Sequence, residues 1–190
     1  ESLEFRAGTK YIARLANGYN VTKVTIPDSV LTIGEDAFIQ FGKLTEIKLP
    51  ENLRYICKGA FNKTGIKNIT IPENVEFIGE NAFIYSSLES IYISDSVKII
   101  ENNAFEYCLN LKSVKGMKNI EIIGSSAFRD CRQLETFELP EKLTVLSAGV
   151  FSGCSNLSEI IFNKNLKEIH DGAYRDTKIT FILNKICPSY

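Results

Sequence analysis

The sequence predicts an α/β repeat protein: a β-rich solenoid with a parallel concave sheet, tight turns and little regular helix. Three periodic features predict this fold class. An Ala-Phe pair recurs every 22 or 23 residues, a short β-branched segment recurs in the same phase, and a residue tolerant of positive φ precedes each pair. One such unit has nothing to bury its apolar face against, whereas stacked copies bury it against each other. The 190 residues are therefore expected to form one domain.

The aromatic residue of the pair fixes the phase of the repeat. It occurs seven times, at Phe38, Phe61, Phe83, Phe105, Phe128, Phe151 and Tyr174. A small residue precedes every ring, alanine in all cases but Val150. This register predicts a solenoid of about seven and a half units over residues 21–183. Residues 1–20 are expected to form a degenerate N-terminal cap, and residues 184–190 a C-terminal tail.

Each unit opens on a short strand with an L-x-x-L-x-L pattern. The inward residues of one copy are Ile66, Ile69 and Ile71, and a second apolar pair, Val75 and Ile78, follows in the same unit. β-Branched residues favour strand over helix, and Pro72 stands where a strand can end without losing a ladder hydrogen bond. Eight such strands, the last at 179–184 with Phe181 and Leu183, are expected to stack into a sheet about 34 Å long.

The turn before each Ala-Phe-type pair is expected to contain a left-handed residue. The seven residues at this position are Asp36, Gly59, Asn81, Asn103, Ser126, Gly149 and Gly172. Glycine, asparagine and aspartate tolerate positive φ better than other residues do. The sequence therefore predicts a left-handed backbone there in most repeats, with Ser126 as the exception.

Two sequence elements, Ala-Phe-x-x-Cys and Ile-Pro-x-x-Val-x-x-Ile-Gly, resemble the BspA-like (Treponema-type) leucine-rich repeats over residues 20–183. Members of that family occur on bacterial surfaces and in some parasitic protists, and are associated with adhesion to host matrix proteins and other cells. The resemblance implies a secreted or cell-surface module that binds a protein ligand, such as a host matrix or cell-surface protein. The chain departs from the pattern at Gly116 and Met117, where we expect a local kink with Met117 filling the gap.

Composition excludes several partners. The formal net charge of −1 gives no general attraction to nucleic acid. No run approaches 18 consecutive apolar residues, so we expect no membrane insertion. The chain begins ESLEF, without an initiator methionine or a signal peptide, which is typical of a mature or trimmed chain whose signal or anchor has been removed.

Cysteine and histidine offer no metal or catalytic site. Cys108, Cys131 and Cys154 share one column, where neighbours are about 4.8 Å apart with parallel Cβ vectors. A disulfide needs Cβ atoms turned toward each other about 3.5–4.5 Å apart, so buried small hydrophobes are the better interpretation. His170, the single histidine, is expected to be an exposed turn residue, and Cys187 an incidental free thiol. The sequence predicts no catalytic residues, no metal and no cofactor.

Outward strand positions supply the candidate ligand-binding residues. They are Lys48, Tyr92, Lys112, Lys115 and Glu138. An aromatic residue flanked by charges resembles a protein-binding hot spot. The alternative is that Lys115 and Glu138 form a cross-strand ion pair without a binding role.

A secondary surface patch is predicted at Tyr85 and Tyr107, which share a column near the Ala-Phe turn. Such an aromatic ladder could bind a sugar face or a partner, or it could be isolated surface apolarity. The sequence therefore predicts a non-catalytic surface module for protein–protein interaction and adhesion. The alternatives are carbohydrate or glycoconjugate binding, and an architectural spacer in a longer repeat array.

Overall fold

Each repeat forms one turn of a parallel β-solenoid, with a first strand, a second strand and a tight turn that carries the Ala-Phe pair. The computed structural model describes residues 1–16 and 18–179. The first strands are β1 (Ser2–Glu4), β3 (Lys23–Thr25), β5 (Glu46–Ile47), β7 (Asn68–Ile71), β9 (Ser90–Ile93), β11 (Ser113–Gly116), β13 (Thr136–Glu138) and β15 (Glu159–Ile161). The second strands are β2 (Tyr11–Ile12), β4 (Thr32–Ile33), β6 (Tyr55–Ile56), β8 (Phe77–Ile78), β10 (Ile99–Ile100), β12 (Ile122–Ile123), β14 (Val145–Leu146) and β16 (Glu168–Ile169).

The predicted fold class is confirmed: the described residues form a parallel β-solenoid of about seven turns without a helix. Residues 1–20 add a strand to each sheet, because β1 pairs with β3 and β2 pairs with β4. Beyond Ile179, the expected last strand with Phe181 and Leu183, and the tail with Cys187, lie outside the described residues.

The first strands, expected to stack as one sheet, are divided into three sections. The sections are β1-β3-β5, β7-β9-β11 and β13-β15, whereas the second strands β2 to β12 form one six-stranded sheet. The division after β11 follows the predicted kink, because Gly116 and Met117 both have positive φ, 85° and 65°. A Cβ atom at Gly116 would overlap the carbonyl oxygen of Ile93. Met117 is buried, as expected of a residue that fills the gap.

A stack of phenylalanine rings runs through the core. The rings of Phe38, Phe61, Phe83, Phe105, Phe128 and Phe151 are fully buried. Successive centroids lie 5.1–5.8 Å apart, and the rings are within 20° of parallel. Each inner ring therefore buries both faces against its neighbours, which links every repeat to the next through the core.

The predicted left-handed position occurs in all seven turns, Ser126 included, with φ between 52° and 65°. The N–H of this residue points along the solenoid and donates to a carbonyl of the next repeat, as from Asn81 to Asn102 (3.1 Å). A second left-handed column, which the sequence pattern does not predict, lies four residues further on. It comprises Gln40, Lys63, Tyr85, Tyr107, Asp130, Gly153 and Asp176.

Replacing Ser126 with glycine is expected to stabilise the protein by about 1 kcal/mol, because glycine adopts the φ of 56° without the steric cost of a Cβ atom. The reciprocal change Gly149→Ser, at the same position one repeat on, is the matched variant and is expected to destabilise it by a similar amount. Urea unfolding measures both. A loss of stability in Ser126→Gly would contradict the strain assigned to this position.

Candidate binding surfaces

A groove on the first-strand face brings together three of the predicted ligand-binding residues. It crosses β5, β7, β9 and β11, has a volume of about 800 Å³, and is lined in part by Lys48, Tyr92 and Lys115. Strand register sets their spacing, because Tyr92 lies between Thr70 on β7 and Lys115 on β11. Lys48 comes directly after β5, which is separated from β7 by the first division of the sheet. The groove therefore spans four repeats around one aromatic side chain.

The groove offers mixed chemistry. Tyr92, at the centre of the groove, is 43% exposed. Beside it, the Ser90 hydroxyl donates to the Asn68 Oδ1 at 2.6 Å. Lys48 lies 3.3 Å from Glu51, but this pair is exposed and such pairs contribute little. Lys115 forms no ion pair within residues 1–16 and 18–179, so its ammonium group is available to a ligand.

Glu138 and Lys112 lie outside this groove. Glu138 and Lys115 line a smaller groove of about 370 Å³ at the division between β11 and β13. The ion pair offered as the alternative for these two side chains is not formed, and their strands β11 and β13 are not paired. Lys112 is exposed, and its N–H donates to the Glu89 carbonyl at 2.9 Å, but its side chain lines neither groove.

The rings of Tyr85 and Tyr107 form a stacked pair near the Ala-Phe turns. Their centroids are 4.7 Å apart and the rings are 3° from parallel. The Lys63 ammonium group lies 5.4 Å from the centroid of Tyr85, so Tyr85 contacts Tyr107 and Lys63. Sugar stacking needs an open ring face, whereas Tyr85 shares its ring with these two neighbours. Tyr85, which is 49% exposed, therefore offers mainly its ring edge and hydroxyl group to a ligand.

A charged cluster follows this tyrosine pair along the solenoid. Arg129 lies 3.7 Å from both Glu106 and Asp130, and Arg132 lies 3.2 Å from Asp130. Burial raises the pKa of Glu106, Arg129 opposes that rise, and Asp130 adds to it. Because the charges balance within the cluster, it has the composition of a structural ion-pair network.

The three stacked thiols are buried, as predicted. The Sγ–H groups of Cys108, Cys131 and Cys154 donate to the carbonyls of Phe83, Phe105 and Phe128 at 3.1, 3.3 and 3.0 Å. Burial raises the pKa of Cys108 and of Cys154 to about 12, and that of Cys131 well above its ordinary value. These thiols are therefore protonated at neutral pH and are poor nucleophiles.

His170 is exposed on a turn, as predicted, and its Nε2 lies 3.4 Å from the Glu168 carboxylate. Cys57, which replaces the glycine of Ile-Gly in another repeat, is half-buried; burial raises its pKa, and the charges of Glu35 and Glu101 add to that rise. Within the part of the chain that the structure describes, no three His, Cys, Asp or Glu side chains form a potential metal site.

The arrangement of repeats defines the class of protein: a leucine-rich repeat solenoid, a class that is typically non-catalytic and binds proteins. The model of the BspA-type leucine-rich repeat region, with six copies, matches residues 10–121 and 76–186. The chain therefore belongs to the BspA-type leucine-rich repeat family. A comparison with curated proteins gave no match.

Solved structures of bacterial leucine-rich repeat proteins are similar to this chain. A Bacteroides ovatus leucine-rich repeat protein is 25% identical, with a TM-score of 0.84 over 94% of this chain and 50% of its own. A leucine-rich cell surface protein of Faecalibacterium prausnitzii is 25% identical, with a TM-score of 0.64 over 92% and 44%. The T. pallidum leucine-rich repeat protein is 28% identical, with a TM-score of 0.64 over 92% and 77%. The chain thus spans about half the length of the first two.

The described segments, 1–16 and 18–179, contain no helix of the length and apolarity needed to cross a membrane.

Proposed function

We propose that the chain is a non-catalytic binding module, secreted or at a cell surface, that holds a protein ligand on its first-strand face. The observation that carries the proposal is the groove across β5, β7, β9 and β11, which gathers Lys48, Tyr92 and Lys115. Family membership supports a protein-binding role. The similar F. prausnitzii protein, described as a cell surface protein, supports the location. The resemblance to the BspA-like family favours a host matrix or cell-surface protein as the ligand.

The chemistry of the groove favours an exposed protein segment that offers apolar and polar contacts together, with a carboxylate opposite Lys115. A tyrosine ring at the centre supplies apolar contact area together with a hydroxyl group, a combination typical of interface hot spots. Lys115 supplies positive charge at the groove, whereas Glu51, 3.3 Å from Lys48, and Glu73 supply negative charge. Thr70 and the Asn68–Ser90 pair supply hydrogen-bonding groups between the lysines. Glu138 extends this surface across the adjoining smaller groove.

The non-catalytic part of the proposal rests on the cysteine and histidine side chains of the described residues. Cys57 is half-buried, and burial raises its pKa. Cys108, Cys131 and Cys154 are buried, with raised pKa values. His170 lies on an exposed turn with only Glu168 beside it, so it lacks the nucleophile that a catalytic histidine activates.

The double variant Tyr92→Ala/Lys115→Ala is expected to weaken ligand binding at least about tenfold, because it removes the central aromatic contact and the free ammonium group. The measurement is surface plasmon resonance of the chain over immobilised collagen, laminin and fibronectin, and binding to a glycan array. The matched control is Tyr19→Ala/Lys43→Ala, which removes an exposed tyrosine and an exposed lysine elsewhere on the surface.

Equal binding by both double variants would contradict the groove as the ligand site. Binding to glycans alone, lost in Tyr92→Ala/Lys115→Ala, would replace the protein ligand with a carbohydrate one.

A further inference from the structure

The outward positions of the second strands form a continuous apolar stripe. Tyr55, Phe77, Ile99 and Ile122 are level with each other on the neighbouring strands β6, β8, β10 and β12. We call these four residues the second-strand stripe. The rings of Tyr55 and Phe77 are 5.7 Å apart, so they partly shield each other. Ile99 and Ile122 are 36% and 53% exposed.

This stripe departs from the pattern of a solvent-facing sheet. Strands with one wet face alternate apolar and polar residues, whereas strands buried on both faces carry continuous apolar residues. In these four strands the inward residues Ile56, Ile78, Ile100 and Ile123 are also apolar. Thr32 on β4 borders the stripe at one end. Beyond β12 the same position holds Val145 on β14, which does not pair with β12, and then Glu168 on β16. The four central strands therefore have the composition of a sheet covered on its outer face.

A column of alternating charges runs beside the stripe. The residue before each stripe residue is Arg54, Glu76, Lys98 or Glu121, and all four are exposed. Their backbones are in register, because each N–H from Glu76 onward donates to the carbonyl of the preceding member at 2.8–3.2 Å. Along these four strands the column therefore reads positive, negative, positive, negative. Arg54 and Glu76 already form an exposed ion pair within one chain, 3.8 Å apart, whereas Lys98 and Glu121 form no ion pair within residues 1–16 and 18–179.

We propose that the second-strand stripe binds the stripe of a second copy of this chain, face to face, about a twofold axis parallel to the strands and midway between β8 and β10. Charge complementarity selects this occupant. The axis places Glu76 opposite the partner's Lys98, and Arg54 opposite the partner's Glu121. Within the stripe, the β8 residue then faces the β10 residue of the partner, and the β6 residue faces the β12 residue. In such a dimer each stripe covers the stripe of the other copy, and the charged residues before the stripe face residues of opposite charge.

The charges on the other side of the stripe disfavour a twofold axis along the solenoid, because two of the four strands would then bring like charges together. A rotation about that axis would place each repeat opposite the same repeat of the partner. The residues before the stripe in one copy would then face the residues after the stripe in the other. Arg54 would face the partner's Lys58, and Glu76 would face the partner's Glu80. Like charges placed in this way disfavour binding. The proposed axis instead sets Lys58 opposite the partner's Ser125, and Glu80 opposite the partner's Asn102, without a like-charge pair.

The size of the surface sets the expected strength. The four strands that carry the stripe, spaced about 4.8 Å apart, extend for about 14 Å, so the contact area is smaller than that of a stable interface. A dimer that dissociates in roughly the 10–500 µM range is therefore expected. The stripe residues are absent from the lining of the ligand groove. If the proposed function holds, the dimer carries two ligand grooves, and binding to a surface that displays many ligands gains avidity.

The test is sedimentation equilibrium of the wild-type chain and of two charge reversals, Glu76→Lys and Lys98→Glu. The wild type is expected to pass from 21.3 kDa toward twice that mass as concentration rises. Each reversal places two like-charged pairs across the twofold axis and is expected to weaken the dimer at least about tenfold. A mixture of the two single variants is expected to recover dimer. In the mixed dimer the introduced lysine of one copy faces the introduced glutamate of the other, and the native Lys98 and Glu76 face each other at the second contact.

The mixture separates a charge contact from a folding defect, since misfolded variants would not recover on mixing. Phe77→Ser/Ile99→Thr tests the apolar stripe, with Ile161→Thr on the first-strand face as the matched control of an exposed apolar residue. A wild type that stays monomeric throughout, or a dimer that Ile161→Thr weakens more than Phe77→Ser/Ile99→Thr, overturns the proposal. Loss of ligand binding in Tyr92→Ala/Lys115→Ala leaves this dimer unchanged, so the two proposals fail separately.

Discussion

Replacing Phe105 with alanine is expected to destabilise the protein by about 3–5 kcal/mol, the range for a fully buried phenylalanine. Phe105 lies in the middle of the ring stack, with centroids of Phe83 and Phe128 at 5.3 and 5.1 Å on its two sides. In a solenoid each repeat contacts only its neighbours, so the cavity weakens the coupling of the repeats on both sides. The loss is a large part of the roughly 5–15 kcal/mol that stabilises an ordinary domain.

Urea unfolding followed by circular dichroism measures this loss. Tyr92→Ala is the control, because it truncates an exposed aromatic residue and is expected to change stability by less than about 1 kcal/mol. A smaller slope of unfolding free energy against urea in Phe105→Ala would indicate that the two halves of the solenoid unfold separately. Equal stability of the two variants would contradict the role assigned to the ring stack.

The core could be predicted from sequence because each core position is buried in every repeat and therefore holds the same type of residue in each copy. The Phe105 column repeats with almost the same chemistry in every turn, so its phase is unambiguous. The kink at Gly116 is also local, since a glycine replaces an apolar inward residue there and adopts a φ of 85°. Asn81 and Gly149 signalled their left-handed turns through their own backbone preferences.

The second left-handed column could not be predicted in the same way. Its members include Lys63, Tyr85 and Tyr107, all with φ of 58°, although tyrosine and lysine have no preference for that region. Tertiary hydrogen bonds hold these residues in place, as the Tyr85 N–H donates to the Glu106 carbonyl of the next repeat at 2.9 Å. The neighbouring repeat, and not the residue itself, determines the conformation.

Surface sites were harder to predict because they depend on how repeats join. The outward columns placed Tyr92 and Lys115 together, but the groove beside them also depends on the division between β5 and β7. The sequence pattern does not predict the second-strand stripe, because the pair Val75 and Ile78 recurs in every unit whereas the residue before Ile78 varies from tyrosine to glutamate.

Raising the pH from about 7 to about 10 is expected to lower the free energy of unfolding of the wild type. The decrease is about 4 kcal/mol larger than in a variant in which Cys108, Cys131 and Cys154 are all serine. In the folded protein burial raises the pKa of Cys108 and of Cys154 to about 12, and that of Cys131 well above the ordinary value of 9.0. The folded state therefore retains three protons that the unfolded state releases. Stability is full below about pH 9 and falls as the pH rises toward about 12.

Serine is the matched replacement because Ser86 already occupies this column and lies 3.2 Å from the Cys108 Sγ. A hydroxyl group at these positions keeps the donor to the Phe83, Phe105 and Phe128 carbonyls but does not ionise in this pH range. Tyrosine and lysine titrate equally in both proteins, so the difference between their urea-unfolding free energies isolates the three thiols. Because each buried proton contributes about 1.4 kcal/mol per pH unit, parallel profiles would mean that the thiols ionise in the folded protein. In that case the three thiols would also react with a thiol reagent before the protein unfolds. Because they are fully buried and hydrogen-bonded, we expect no such reaction in the folded protein.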